Sequence, residues 1–228
     1  MPDTTQNALP RIAVLGGTGK EGSGLAFRWA AAGYEIIIGS RKAEKAQTAA
    51  DELNSLLDGG ITVRGLANED AAHEAELIVL SVPYGAHRPT LETVKDAVQN
   101  KILVDVTVPL KPPKVSTVQL PEGRTAAEEA QAILGEGVRV VSAFQNVSAT
   151  HLKDLAYSVD CDVLVCGDDK EARAEVIKLV AVTGMRGIDA GVLANAIVAE
   201  SLTPLLIGIN KRYGVKSAGI RITEIDPD

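Results

Sequence analysis

The chain has few aromatic residues, few histidines and almost no cysteine. Aromatic residues make up 3% of its 228 residues, and there are three histidines and two cysteines. The histidines are scattered, so the chain offers no metal-ligand spacing and no serine–histidine or cysteine–histidine arrangement for nucleophilic catalysis. A sequence without a disulfide framework is typical of the cytoplasm. We therefore predict a cytoplasmic protein that holds no metal.

The two cysteines, Cys161 and Cys166, stand five positions apart in an apolar segment typical of a strand. At that spacing on an extended chain their side chains point to opposite faces, too far apart for a disulfide. We predict two buried thiols with a structural role.

Charge and hydropathy limit the possible partners. The net charge is −7 and the basic residues form no extended patch, which argues against nucleic acid. No apolar run approaches the length of about 20 residues that crosses a bilayer. Residues 1–10 are polar and lack the apolar core of a signal peptide. We expect neither a nucleic-acid nor a membrane partner.

Alanine, valine, isoleucine and leucine dominate a sequence that is 46% hydrophobic. Strand-like apolar runs alternate with helical runs, which predicts a Rossmann-type doubly wound, mostly parallel α/β sheet with a short C-terminal α/β extension. The expected division is a disordered lead-in over 1–10, a dinucleotide-binding domain over 11–150 and a smaller C-terminal α/β portion over 151–228. The expected elements include a strand over 61–65 and a nearly all-apolar helix over 193–213, kinked or broken at Pro204.

A glycine-rich turn lies between the first predicted strand and the first predicted helix. Gly17, Gly19 and Gly22 fit the G-x-G-x-x-G dinucleotide fingerprint. In this pattern the first glycine permits a sharp turn, the second lets backbone approach a pyrophosphate, and the third permits close helix–strand contact. The free N–H groups at the helix start favour an anion.

The end of the second predicted strand distinguishes NADP from NAD. An NAD site places an acidic residue there to bind the ribose 2′-hydroxyl. This chain has Ser40, Arg41 and Lys42 instead, with Lys45 one helical turn further on. Cations at a helix start are unfavourable unless an anion is bound, so these residues favour a 2′-phosphate and hence NADP. The alternative is an ordinary solvated face.

Several further features are candidates for the site or for its frame. The proline-rich segment 109–121 is expected to be an irregular loop at the ligand-binding edge of the sheet. His87 and His151 are candidates for ligand contact, with ordinary partly exposed histidines as the alternative. Asp168 and Asp169 are expected to cap a helix rather than to form a catalytic carboxylate pair.

With these segments in order, the chain resembles the F420-dependent NADP oxidoreductases over nearly its whole length. The motifs that carry the likeness are Gly16-Gly17-Thr18-Gly19, Ile38-Gly39-Ser40-Arg41, Ser81-Val82-Pro83, Val108-Pro109-Leu110, Val141-Ser142-Ala143-Phe144, Cys166-Gly167-Asp168-Asp169, Asp189-Ala190-Gly191 and Glu200-Ser201-Leu202-Thr203-Pro204. The resemblance implies hydride exchange between NADP(H) and the 8-hydroxy-5-deazaflavin coenzyme F420, with no catalytic side chain.

The resemblance also implies a set of cofactor-binding residues. Their expected places are the pyrophosphate (Thr18, Gly19, Lys20, Glu21), the 2′-phosphate (Ser40, Arg41, Lys45), the nicotinamide end (Val82, Ala149) and the deazaflavin cleft (Pro83, Val108, Pro109, Gln145, Asn146). Gly17, Gly22 and Ser81 complete the set of expected cofactor-binding residues. Some family members have a histidine where this chain has Gln145, and a glutamine forms only neutral hydrogen bonds.

Two other functions stay open from the residues alone. One is an NADPH-dependent reductase that uses flavin or another hydride acceptor, because the second half of the site is apolar and rich in backbone. The other is a non-catalytic NADPH-binding redox module. In each case the apolar helix over 193–213 predicts a homodimer through that segment.

Overall fold

The computed structural model of the chain describes residues 9–57, 59, 61–122 and 124–225, so most of the expected lead-in lies outside the described residues. The strands are β1 Ile12–Leu15, β2 Ile36–Ser40, β3 Arg64–Ala67, β4 Leu77–Leu80, β5 Ile102–Asp105, β6 Arg139–Ser142, β7 Asp162–Gly167 and β8 Arg186–Asp189. The helices are α1 Lys20–Ala31, α2 Ala43–Asn54, α3 Asn68–Glu74, α4 Tyr84–Val94, α5 Ala126–Leu134, α6 Lys170–Ala181 and α7 Ala196–Tyr213. Short 3₁₀ turns span Ala149–His151 and Leu193–Asn195.

The eight strands form one sheet in the order β3-β2-β1-β4-β5-β6-β7-β8. Every neighbouring pair is parallel except β6 and β7, which run antiparallel. The strand order reverses between β1 and β4, and ligands of such sheets bind outside the carboxyl ends of the strands at that point. The predicted fold class is confirmed.

Helices cover both faces of the sheet, and each face has its own core. On one face α1, α2 and α6 pack over the sheet, with Trp29 fully buried and edge-on to Phe144 at a ring distance of 5.8 Å. The indole N–H of Trp29 donates to the carbonyl of Leu179 at 3.0 Å, which ties α1 to α6. On the other face α3, α4 and α5 cover the sheet.

The C-terminal portion continues the sheet of the first part through β7 and β8. Asp162, fully buried at the start of β7, accepts two hydrogen bonds from the guanidinium of Arg186, at 2.9 and 2.6 Å. It also accepts from the backbone N–H of Ile222 at 2.6 Å. The Arg186 hydrogen bonds hold the pKa of Asp162 below its usual value, so this carboxylate anchors the last residues of the chain to the sheet.

The third strand begins later than the sequence pattern indicates. The expectation was 61–65, whereas β3 spans Arg64–Ala67. The side-chain amide of Asn54 bonds both backbone groups of Val63, at 2.8 and 2.9 Å. Because the Asn54 side chain already bonds the backbone N–H and carbonyl of Val63, the hydrogen-bond ladder between β3 and β2 starts only at Arg64.

The C-terminal helix begins later than expected, because a 3₁₀ turn precedes it. α7 then runs through Pro204, so of the two expectations for this residue, a kink or a break, the break is wrong. The segment Leu193–Tyr213 is also long and apolar enough, by length and composition, to cross a bilayer, so the statement that no segment reaches that length is wrong. In this fold α7 packs beside β7 and carries the buried carboxylate of Glu200.

The predicted state of the cysteines is confirmed. Cys161 and Cys166 are both buried and free, at the two ends of the β7 region. Burial raises the pKa of both thiols, that of Cys166 to about 11, which leaves them protonated and unreactive at neutral pH.

Candidate functional site

The glycine-rich turn after β1 depends on Gly16 for its left-handed backbone. Gly16 has φ +73°, and a Cβ at that position would collide with the carbonyl oxygen of Ser81 on the neighbouring strand end. The sequence pattern assigned the sharp turn to Gly17, so the left-handed residue lies one position earlier than expected.

Of the three fingerprint glycines, two have no room for a side chain and the third has open space around it. A Cβ on Gly17 would lie 2.7 Å from the carbonyl of Val14, and one on Gly22 would lie 3.0 Å from both the Gly17 Cα and the Ser81 Oγ. A Cβ on Gly19 would meet nothing closer than 3.6 Å. Gly17 and Gly22 therefore permit close packing of α1 on the sheet, whereas Gly19 leaves its space open at the start of α1.

A cleft of about 470 Å³ opens beside this turn, and we call it the main cleft. Its walls come from the start of α1, the ends of β4 and β5, the proline-rich loop, the segment after β6 and α7. The lining residues are Gly19, Lys20, Glu21, Ser81, Val82, Pro83, Tyr84, Gly85, Val106, Thr107, Val108, Leu110, Pro112, Val115, Gln145, Val147 and Thr203. Eight predicted site residues meet here, and the segment 109–121 has no regular structure where it is described.

A second cavity of about 470 Å³ lies at the end of β2, and we call it the Ser40 pocket. It is lined by Ser40, Arg41, Ala67, Asn68, Glu69, Gly85, Ala86, Pro89, Thr90 and Thr93. Gly85 borders both cavities, so they adjoin at the first turn of α4.

The cations at the start of α2 are exposed. Arg41, Lys42 and Lys45 have no carboxylate within 4 Å among the residues that the structure describes. Positive charge at a helix N-terminus opposes the helix dipole, and in the first turn of α2 one acidic residue, Glu44, stands against three cations. An anion bound beside Ser40 would compensate the remaining positive charge.

Several predicted site residues do not line either cavity. They are Gly17, Thr18, Gly22, Lys45, Pro109, Asn146 and Ala149. The side-chain amide of Asn146 donates to the Asp162 carbonyl at 2.7 Å and to the Cys161 sulfur at 3.2 Å. Asn146 thus joins the segment after β6 to the start of β7. Ala149 lies in the first 3₁₀ turn.

Gln145 is 3% exposed and lines the main cleft, and two hydrogen bonds from its side-chain nitrogen fix its amide. Its Nε2 donates to the carbonyl of Asp105 at 2.6 Å and to the hydroxyl of Ser142 at 2.8 Å. The backbone carbonyl of Gln145 accepts from the hydroxyl of Thr203 at 2.6 Å. Both amide protons are used, and Oε1 has no partner among the described residues. Oε1 of Gln145 is therefore a buried neutral acceptor that lacks a donor among these residues.

Two titratable side chains of the main cleft are protonated near neutral pH. Glu21 is half-buried, and its loss of solvation raises the pKa of the carboxyl to about 8. A neutral Glu21 does not repel phosphate. Burial, followed by the hydrogen bond to Glu129, raises the pKa of Tyr84 to about 12.

The sequence did not reveal the buried pair of His87 and Asp105. His87 is 1% exposed, Asp105 is fully buried, and Nε2 lies 2.7 Å from the Asp105 Oδ2. The alternative of a partly exposed His87 is therefore wrong. A polar residue ending the apolar run of β5 was the available signal, because such a side chain needs a partner. His73 is exposed and the half-buried His151 stacks on Tyr157.

The carboxylates after β7 have structural roles. Asp169 accepts from the N–H of Ala172 at 2.7 Å and caps α6, as expected, while Asp168 accepts from the N–H of Leu193 at 3.0 Å. No group of three metal-ligating side chains occurs in the part of the chain that the structure describes.

The fold, the crowded glycines and the two adjoining cavities define a Rossmann-type dinucleotide-binding protein with room for a second ligand. Comparison with known proteins narrows this class. The sequence profile of the family described as "NADP oxidoreductase coenzyme F420-dependent" matches residues 11–109. An F420-dependent NADP reductase of Methanocaldococcus jannaschii is 45% identical over 223 residues, which cover 95% of this chain and 99% of that protein. One from Methanothermobacter marburgensis is 43% identical over 221 residues, covering 94% and 99%. The chain belongs to the F420-dependent NADP oxidoreductase family.

A solved structure agrees with this assignment. The crystal structure of a putative F420-dependent NADP reductase from an Arthrobacter species superimposes with a TM-score of 0.80 at 29% identity, and the match covers 95% of this chain and all of that one. An NADP-bound pyrroline carboxylate reductase from Plasmodium falciparum, at 14% identity and a TM-score of 0.54, shares the fold alone.

Proposed function

We propose that this enzyme transfers a hydride between NADP(H) and coenzyme F420. The observation that carries the proposal is the main cleft, which joins the start of α1 to apolar walls large enough for a second ring system. Curated relatives that align over nearly their whole length bear the name F420-dependent NADP reductase.

NADP fits the first half of the site. The open space at Gly19 and the free N–H groups at the start of α1 suit the pyrophosphate. Ser40 and Arg41 line the second cavity and suit a 2′-phosphate, which a guanidinium binds through paired hydrogen bonds. The neutral Glu21 removes the repulsion that a carboxylate would bring to this place.

The second half of the site suits a flat ring system. Val82, Pro83 and Val108 give the main cleft apolar walls, and Gln145 lines it with a neutral side chain. When both cofactors are bound, nicotinamide supplies or receives the hydride and the deazaflavin is its counterpart. The protein needs no nucleophile for this reaction: its residues hold the two rings in contact and exclude water.

One substitution tests the NADP assignment. Arg41→Ala should weaken NADPH binding by about 1.5–3 kcal/mol, the contribution of a charged hydrogen bond, and should leave NADH binding nearly unchanged. Calorimetry with both dinucleotides measures this difference. Arg64→Ala, at an exposed arginine outside both cavities, is the matched control. Equal losses for NADPH and NADH would refute the assignment.

A parallel assay with two acceptors tests the reaction. The purified protein with NADPH and no added metal should bleach the visible absorbance of oxidised F420. Turnover with FMN and none with F420 would instead support the flavin reductase, and no turnover with either would support the non-catalytic NADPH-binding module.

The homodimer is the oligomeric state that we propose. α7 has an apolar composition, yet Val198, Leu205 and Tyr213 are 56%, 50% and 77% exposed. Such a face on a long helix is typical of a subunit interface. Light scattering should give twice the chain mass, and Leu205→Glu should shift the protein to a monomer. The cytoplasmic location stays a prediction.

A further inference from the structure

A buried polar chain runs beneath the main cleft and begins at His87. His87 lies on α4 and Asp105 at the end of β5, where Nε2 and Oδ2 are 2.7 Å apart. Because a carboxylate only accepts, the imidazole donates from Nε2. The mechanism above uses neither side chain, and both are almost completely buried.

Asp105 connects His87 to two segments that line the main cleft. Its other carboxylate oxygen accepts from the backbone N–H of Thr107 at 2.9 Å, and its backbone carbonyl accepts from the Gln145 Nε2 at 2.6 Å. Thr107 and Gln145 both line the cleft. One residue thus fixes the turn after β5 and the orientation of the Gln145 side-chain amide.

His87 also belongs to the element that separates the two cavities. The first turn of α4 supplies Tyr84 to the main cleft and Gly85 to both cavities. The Tyr84 ring stacks on the His87 ring with a centroid distance of 6.1 Å and an interplanar angle of 28°. The first turn of α4 is thus a wall that both cofactors would contact. The His87–Asp105 hydrogen bond fixes this wall to the end of β5.

We infer that His87 is a positioning residue for hydride transfer, acting through Asp105 on the Thr107 turn and the Gln145 amide. The inference rests on the proposed function. Without the imidazole, Oδ2 of Asp105 is left buried with no donor, and the carboxylate turns toward other donors. This reorientation weakens the hydrogen bond from Thr107 and changes the alignment of the two rings, to which the rate of transfer is steeply sensitive.

Three substitutions at position 87 separate positioning from simple packing. His87→Leu fills the space and removes the donor. His87→Gln places an amide N–H at the reach of Nε2, while His87→Asn carries the same group on a shorter side chain that does not reach Asp105. The exposed His73→Leu on α3 is the control.

We expect His87→Leu and His87→Asn to lower kcat for F420 reduction by about tenfold or more. NADPH affinity should stay within about twofold of that of the unsubstituted protein, His87→Gln should recover most of the lost kcat, and His73→Leu should change nothing. If His87→Leu does not fold, the difference between His87→Gln and His87→Asn decides the question. Equal kcat in these two variants, or a loss of kcat that is matched by an equal loss of NADPH affinity, overturns the inference.

Amide hydrogen exchange tests the same contact without any reaction. In His87→Leu or His87→Asn, the Thr107 N–H should exchange about tenfold faster or more, as expected for a lost hydrogen bond, and His87→Gln should restore its protection. Unchanged exchange at Thr107 contradicts the inference whether or not the enzyme turns over. Absence of turnover in the unsubstituted protein contradicts the proposed function instead.

Discussion

Arg28 provides a direct measure of how α1 is tied to the C-terminal portion. Its side chain is 6% exposed, and it donates only to backbone carbonyls. The five acceptors are Leu152 at 2.9 Å, Thr183 at 2.9 Å, His151 at 3.1 Å, Asp154 at 2.7 Å and Tyr157 at 3.1 Å. A single guanidinium therefore holds the C-terminal end of α1 against three separate turns. The glycine fingerprint lies at the other end of this helix.

Replacing Arg28 by methionine should destabilise the protein by about 2–6 kcal/mol. The bonds to Leu152 and Thr183 are fully buried, and each carbonyl left unsatisfied there costs about 1–3 kcal/mol. The other three acceptors are partly buried and recover water, so they add little. The stability of Arg28→Lys should lie between that of the unsubstituted protein and that of Arg28→Met, because an ammonium group donates three protons from a single nitrogen.

Urea unfolding followed by circular dichroism measures the effect. Arg88→Met is the matched control, since Arg88 is exposed and its nearest carboxylate oxygen is 3.8 Å away, so it should change stability by less than about 0.5 kcal/mol. A loss below about 1 kcal/mol in Arg28→Met would refute the reasoning, because it would mean that the buried carbonyls find other donors.

Two further outcomes follow from single side chains. Gly22→Ala should destabilise the protein by about 1–3 kcal/mol, because its Cβ would lie 3.0 Å from the Ser81 Oγ; in thermal unfolding Gly85→Ala, with open space around it, should cause no such loss. Burial raises the pKa of Glu200 to about 8 from 4.5, so the folded state holds a proton that the unfolded state has lost. The free energy of unfolding should therefore fall as pH rises from about 4.5 to 8, by up to about 1.4 kcal/mol per pH unit, and Glu200→Gln should reduce this slope while the exposed Glu171→Gln should not. Equal slopes in all three proteins would contradict the assignment of the proton to Glu200.

Local patterns predicted most of the fold. Strand and helix alternation gave the sheet, because buried parallel strands and their covering helices each leave a periodic apolar signal. The start of β3 was misplaced because one side chain, Asn54, replaces the ladder at Val63. A contact between side chain and backbone nine positions away leaves no periodic trace.

The site was predictable where the chemistry is local. The glycine turn and the Ser40-Arg41 pair each lie within one short segment, and the structure brings both to cavities. Contacts made by distant segments were not predictable. The carboxyl group of Glu200 accepts from the N–H groups of Ala126 and Ala127 at 2.8 and 3.1 Å, across more than 70 positions of sequence. Such a pair is visible only after the chain has folded.

The reversed direction of β7 determines at which edge of the sheet several carboxylates of this acidic protein lie. Because β7 runs opposite to β6 and β8 follows β7, the carboxyl ends of the last two strands emerge at the far edge of the sheet. Asp168, Asp169 and Asp189 stand at those ends. Had both strands continued in the parallel sense, these three carboxylates would stand at the edge of the sheet where the glycine-rich turn lies. Strand direction thus keeps three negative charges of a chain of net charge −7 away from that edge.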